Sequence, residues 1–205
     1  MTRTHYYENM KELARQTRLA HEIRCYRVLR SDLRRIYKKL GIRIDLWPYK
    51  LKGVRGAYFN DDIGPTVMLN KGLPDDPMVF TMAHELKHHL ADREMAYCGT
   101  GNVHEVKEIG AEVFAAEFIF PERDFTERLR RAGVTAATFT AKDLVRLKRE
   151  TRTTLSYAGL AKRAAWTGFT PAGSLDRVRW RALETELYGE PLHRRLWRER
   201  RGRGG

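Results

Sequence analysis

The chain has 205 residues, 42% of them hydrophobic and 10% aromatic, which is enough for a core and excludes wholesale disorder. It has only two cysteines, Cys25 and Cys98, far apart, and no run near the roughly 18 apolar residues that span a bilayer, which excludes a disulfide-stapled scaffold and a membrane-spanning helix. With no apolar run like a signal peptide at its start, the chain reads as a cytoplasmic protein. The net charge of +13 is unevenly placed: residues 123–205 hold 20 of the 39 basic but 9 of the 26 acidic residues, so this third alone carries +11. Such an excess favours polyanions or an acidic partner, and it is equally what a solvated Arg-rich helical surface looks like.

In chain order, residues 8–40 read as one or two helices, with Leu13, Leu19, Ile23, Val28, Leu33, Ile36 and Leu40 spaced three to five apart and Gly41 as a stop. "IRIDLWPY", "GAYFN" and "GPTVMLN" follow as three short β-like runs, expected to form a small antiparallel sheet within residues 42–70. "GLPDDP" breaks the chain and offers aspartates as caps for a helix from Met78 to Asp92. A second helix is expected from Val103 to Phe120, ending at Pro121. Further helices are expected over 122–132, 140–151, 155–167 and 174–188, separated by Gly133, Thr153 and "TGFTPAGS". The final "RRLWRERRGRGG" reads as a disordered tail.

Within the helix of residues 78–92 stands "HELKH", a match to H-E-x-x-H. His84 and His88 lie one turn apart on one face and can bind one metal through neutral imidazoles, with Glu85 beside them placed to take a proton from water. Surface histidines, or core histidines satisfied by other partners, are the plainer reading of such a pair. Asp92, one turn beyond His88, can orient that ring through its second nitrogen or can simply face solvent. His89 breaks the periodicity and reads as a residue behind the site or at the surface. A catalytic zinc takes three protein ligands. The next helix, "NVHEVKEIGAEVFAAEFIFP", offers Glu108, 20 residues after His88, and Glu112 one turn further on the same face. Spacing alone admits either as the third ligand. Carboxylates set among Val106, Ile109, Val113, Phe114 and Phe118 need a partner if buried.

"AHELKHHL" followed by "EIGAEVFAAEFIFP" resembles the ImmA/IrrE family of metallopeptidases, which pair an H-E-L-G-H helix with one of the form E-x-x-A-N-x-F-A-A-x-L-L-M-P. Glu108, Ala111, Phe114, Ala115, Ala116 and Pro121 stand at the matching places, and the likeness runs over roughly residues 10–170. It implies His84, His88 and Glu108 as zinc ligands, Glu85 as general base and a gluzincin-like fold. Two residues depart from the pattern. Lys87 replaces the usual small residue and crowds nothing if that side of the helix faces solvent. Glu112 stands in place of Asn, as a candidate to hold one of the histidines from behind.

The expected architecture is therefore α+β. A mainly helical zincin-like domain with an antiparallel sheet of about three strands occupies residues 1–122, a basic helical part packed on it residues 123–192, and an Arg-rich tail residues 193–205. The resemblance implies a zinc endopeptidase whose substrate is a DNA-binding, helix–turn–helix repressor of a mobile element or stress regulon. "GPTVMLN" is the expected substrate edge, and Tyr97 and His104 are the candidate oxyanion donors. The competing reading is a regulator that binds nucleic acid or a protein through its basic C-terminal helices, with metal as a structural or sensing element. It has no use for a base such as Glu85.

Overall fold

The computed structural model describes residues 2–48, 54–93 and 102–201. The fold is α+β and mainly helical, and the chain falls into two units, Met1–Pro121 and Glu122–Gly205. No described helix is long and apolar enough to cross a membrane.

In the first unit, α1 (Arg3–Ala20) and α2 (Arg30–Leu40) take the place of the expected helical region of residues 8–40. They part where Glu22 enters the left-handed region (φ 56). Asp32 reaches back to the Leu29 N–H at 2.8 Å to start α2, and Gly41 (φ 70) ends it. β1 (Arg43–Trp47), β2 (Gly56–Asp61) and β3 (Gly64–Asn70) follow, then α3 (Asp75–Ala91) and α4 (Asn102–Ile119). α3 begins three residues earlier than expected, and Asp75 and Asp76 occupy its first turn without capping it, where they complement the helix dipole.

The sheet departs from the sequence expectation in a way that matters for the site. Its order is β1-β3-β2, with β1 parallel to β3 and β2 antiparallel to β3. The tight turn between Asp61 and Gly64 dictates only the β2–β3 hairpin. The whole β2 segment then acts as the crossover that lets β1 lie parallel on the far side of β3. "GPTVMLN" is thus the central strand, and β2 is an edge. Val67 and Leu69 point inward from β3, and α3 packs on the sheet with Met82, Ala83 and Leu86 buried. The Tyr37 hydroxyl, fully buried, donates to the Met82 carbonyl at 2.6 Å and ties α2 to α3.

α4 lies between α3 and α1. Phe114 and Phe118 stack with centroids 6.0 Å apart in its buried face. Buried Arg18 on α1 donates to the Phe118 carbonyl and, at 3.1 Å, to that of Cys25, while Arg15 pairs with fully buried Glu117 at 3.1 Å. The Arg18 bond to Phe118 satisfies a carbonyl that the end of α4 leaves open.

The second unit comprises α5 (Glu122–Arg131), α6 (Ala141–Thr151), α7 (Tyr157–Trp166), α8 (Trp180–Tyr188) and α9 (Leu192–Arg201). Phe125, Leu144, Leu155, Leu160 and Phe169 are buried in its core. Buried Lys148 donates to the carbonyls of Thr153 at 2.8 Å and Leu155 at 2.7 Å, fixing the loop before α7. The helix expected over 174–188 starts only at Trp180, after turns. The segment read as a disordered tail is instead helical to Arg201. Arginine is a good helix former, Arg195 and Glu199 pair one turn apart at 3.0 Å, and Leu192 is buried.

Candidate metal centre

α3 is buried over most of its circumference, so its polar residues must find partners inside the fold. Nε2 of His84 and Nε2 of His88 lie 3.3 Å apart. Glu108 on α4 meets both, with Oε2 3.1 Å from His84 Nε2 and Oε1 3.4 Å from His88 Nε2. Donors bound to one ion at roughly 2.0–2.2 Å in tetrahedral directions stand roughly 3.3–3.5 Å apart, and the triangle of groups formed by the two Nε2 atoms and the Glu108 carboxylate, which turns a different oxygen toward each imidazole, is close to that size. The donor set, two imidazoles and a carboxylate, suits zinc and leaves a fourth position open. Among the described residues these are the three that cluster in this way. Glu112, which spacing alone allowed as third ligand, is exposed and lines the same cleft outside that triangle.

Asp92 is buried, and Oδ2 accepts a hydrogen bond from His88 Nδ1 at 2.9 Å. Burial alone would raise this carboxyl, but the bonds from His88 and Lys87 outweigh it and hold it below its ordinary value. An ionised Asp92 only accepts, so the His88 proton sits on Nδ1 and the Nε2 lone pair faces Glu108 and His84, as a ligand requires. The condition under which Lys87 would crowd nothing, a solvent-facing side, is not met: the side chain is fully buried and bonded to Asp92.

Glu85 is 5% exposed. Burial pushes its carboxyl up to about 7, with the charge of His84 working against the shift and that of Glu108 adding to it. A carboxyl that titrates near neutrality can both take and return a proton.

A cleft of about 530 Å³ joins these groups to β2 and its lead-in, with Val54, Arg55, Gly56, Ala57, Tyr58 and Phe59 along one wall. Gly56 and Tyr58 here escaped sequence reasoning. The Tyr58 hydroxyl lies 3.1 Å from Nδ1 of His89, so the histidine read as peripheral fastens α3 to the edge strand. Gly56 allows that strand to approach. A Cβ there would stand 2.6 Å from the Thr81 methyl and 3.1 Å from Glu85 Oε1. A glycine opening a strand beside an H-E-x-x-H helix was the one available signal. Gly56→Ala is expected to cost about 1–3 kcal/mol by overpacking and to disturb Glu85 while zinc is retained. Thr81→Ser, which removes the obstructing methyl, should restore the melting temperature of the double variant. If Gly56→Ala alone melts like wild type, this close packing is misread. Of the proposed oxyanion donors, Tyr97 and the side chain of His104 lie outside the described residues.

Two helices bring two histidines and a glutamate to one point, with a second, buried glutamate beside them and a strand along the cleft, an arrangement that could hold one metal ion next to a proton-accepting carboxyl. The family model described as IrrE N-terminal-like domain, Peptidase_M78, matches residues 37–159, more than half of the chain. The chain belongs to this family, and membership implies a metallopeptidase-type function on a protein substrate. No curated protein matches the sequence significantly.

Proposed function

We propose that the chain is a zinc-dependent endopeptidase in which His84, His88 and Glu108 hold the metal and Glu85 is the general base. The observation that carries this is the convergence of the two Nε2 atoms and the Glu108 carboxylate at 3.1–3.4 Å, with Glu85 next to His84 in sequence. Zinc held there would supply Lewis acidity at the scissile carbonyl and toward water. Glu85 takes the proton from the attacking water and returns it to the leaving amine. Asp92 keeps the His88 proton on Nδ1 throughout.

Substrate lies extended along β2, whose outer edge faces the cleft, and not along β3, whose two edges are taken by β1 and β2. Unpaired backbone groups of an edge strand bind an extended peptide by adding a strand. The resemblance to ImmA/IrrE proteins nominates a helix–turn–helix repressor as substrate and the cytoplasm as the site of action. Incubation of the purified, zinc-loaded protein with such a repressor is expected to yield discrete fragments by mass spectrometry, and a chelator should suppress them. Chelator-resistant cleavage would overturn the zinc assignment.

One observation favours a second role for residues 123–205, their charge of +11. If this surface binds nucleic acid, affinity falls steeply with salt, independently of Glu85.

A further inference from the structure

Lysine is among the residues least often buried, and an uncompensated ammonium inside a protein is costly. Lys87 is nonetheless 0% exposed, in the middle of the H-E-x-x-H segment. Its Nζ donates to Asp92 Oδ2 at 2.5 Å and to the Lys107 carbonyl at 3.1 Å, and stands 5.8 Å from the centroid of the Tyr6 ring. The same Asp92 oxygen accepts from His88 Nδ1 at 2.9 Å, and Asp92 Oδ1 lies 3.7 Å from Lys107 Nζ. The Lys107 carbonyl belongs to the residue immediately before Glu108. One ammonium therefore touches both the carboxylate that orients His88 on α3 and the backbone that carries Glu108 on α4.

We infer that Lys87 is a positioning residue of the metal centre: acting through Asp92 and through the Lys107 carbonyl, it sets the His88 ring and Glu108 at the separation at which both can bind one ion. This rests on the metal reading proposed above. An apolar side chain of similar length would fill the same space. What lysine adds is a donor that reaches Asp92 on one side and the Lys107 carbonyl on the other, and so bridges the two helices. Ligand orientation of this indirect kind is worth about 10–100-fold in metal affinity.

Lys87→Met keeps the stem and removes charge and donors. In the full chain, K87M and Asp92→Asn are each expected to weaken zinc binding about 10–100-fold in chelator competition. The double variant should lose less than the product of the two single losses, because both side chains act on His88 through Asp92. Cobalt bound to K87M should show an altered visible band, since ligand directions change. Wild-type zinc affinity in K87M, or losses that multiply in the double variant, would reduce Lys87 to a core support and overturn the inference.

A readout on metal-free protein separates this from the metal reading itself. In the wild type, the Lys87 ammonium should give a slowly exchanging nitrogen-15 NMR signal, and the His88 Nδ1 proton a downfield one that shifts in K87M. If wild type binds neither zinc nor cobalt, the metal reading falls and the His88 signal alone decides, an unshifted proton overturning the inference. If K87M does not fold, Asp92→Asn carries the test: loss of the slow ammonium signal supports the pair, and its persistence overturns it.

Discussion

His84→Ala, His88→Ala and Glu108→Ala are expected to lose zinc under mild chelator competition, whereas Glu112→Asn is expected to keep it. A four-ligand zinc site is worth roughly 10–16 kcal/mol, so one ligand contributes roughly 3–4 kcal/mol, a loss of about a hundred- to a thousandfold in affinity. Glu108 is expected to behave as a ligand because its two oxygens lie 3.1 and 3.4 Å from the two histidine nitrogens. Glu112 lines the cleft from α4 and stands where the resembled family has Asn, so Glu112→Asn should leave affinity within about tenfold. Isothermal titration with a competing chelator reads both effects. Equal losses from Glu108→Ala and Glu112→Asn would mean that the carboxylates share the ion, and a loss from Glu112→Asn alone would reverse the assignment.

Glu85→Gln should retain zinc, abolish cleavage of a co-expressed repressor and, in metal-free protein, remove a pH dependence of stability. The folded-state carboxyl titrates at about 7 against an ordinary 4.5. Below pH 4.5 the group is protonated in both states and costs nothing. As pH rises toward 7 the unfolded chain ionises while the folded one resists, so stability falls. Above 7 the loss levels off at roughly 3 kcal/mol. Glutamine does not titrate, so the variant should gain on wild type between pH 4 and pH 8 in urea denaturation. Asp92 works in the opposite direction: its depressed carboxyl contributes stability above its ordinary value that is lost as pH falls. Parallel pH curves for wild type and Glu85→Gln would sink the account of a buried, neutral-pH carboxyl, and cleavage by the variant would move catalysis elsewhere.

The chemistry-bearing residues were legible because their signals are local. H-E-x-x-H needs only one turn of helix to align its histidines, and Glu108 follows on the next strongly apolar helix. What escaped depends on long-range pairing. Nothing in "IRIDLWPY", "GAYFN" or "GPTVMLN" says which run is central, because all three have similar β-character and only the Asp61–Gly64 turn is local. The strand expected to offer a free edge, β3, is therefore the central one, and the proposed substrate edge is β2. The place of Lys87 was not legible, since a lysine on a helix ordinarily faces water. Its burial depends on Asp92, five residues on, and on a carbonyl of a different helix, the latter not encoded in any spacing. Gly56 and Tyr58 carry no motif and gain their meaning from the helix they lie against. The charged C-terminal segment misled for a different reason. Arg-richness was taken for disorder, although alternating arginines and a glutamate one turn apart are helix-forming.

The family match begins at residue 37, beyond α1, yet α1 carries the Arg15 and Arg18 contacts that hold the end of α4. A fragment trimmed to the matched segment would strip the cover that α1 gives α4 and remove the Arg15 partner of Glu117 and the Arg18 bond to the Phe118 carbonyl. The damage would reach Glu108 through the helix itself, so domain boundaries drawn from sequence likeness alone would cut away the support of a metal ligand nearly a hundred residues distant. Any recombinant piece meant to bind zinc should begin no later than Arg3, the first residue of α1.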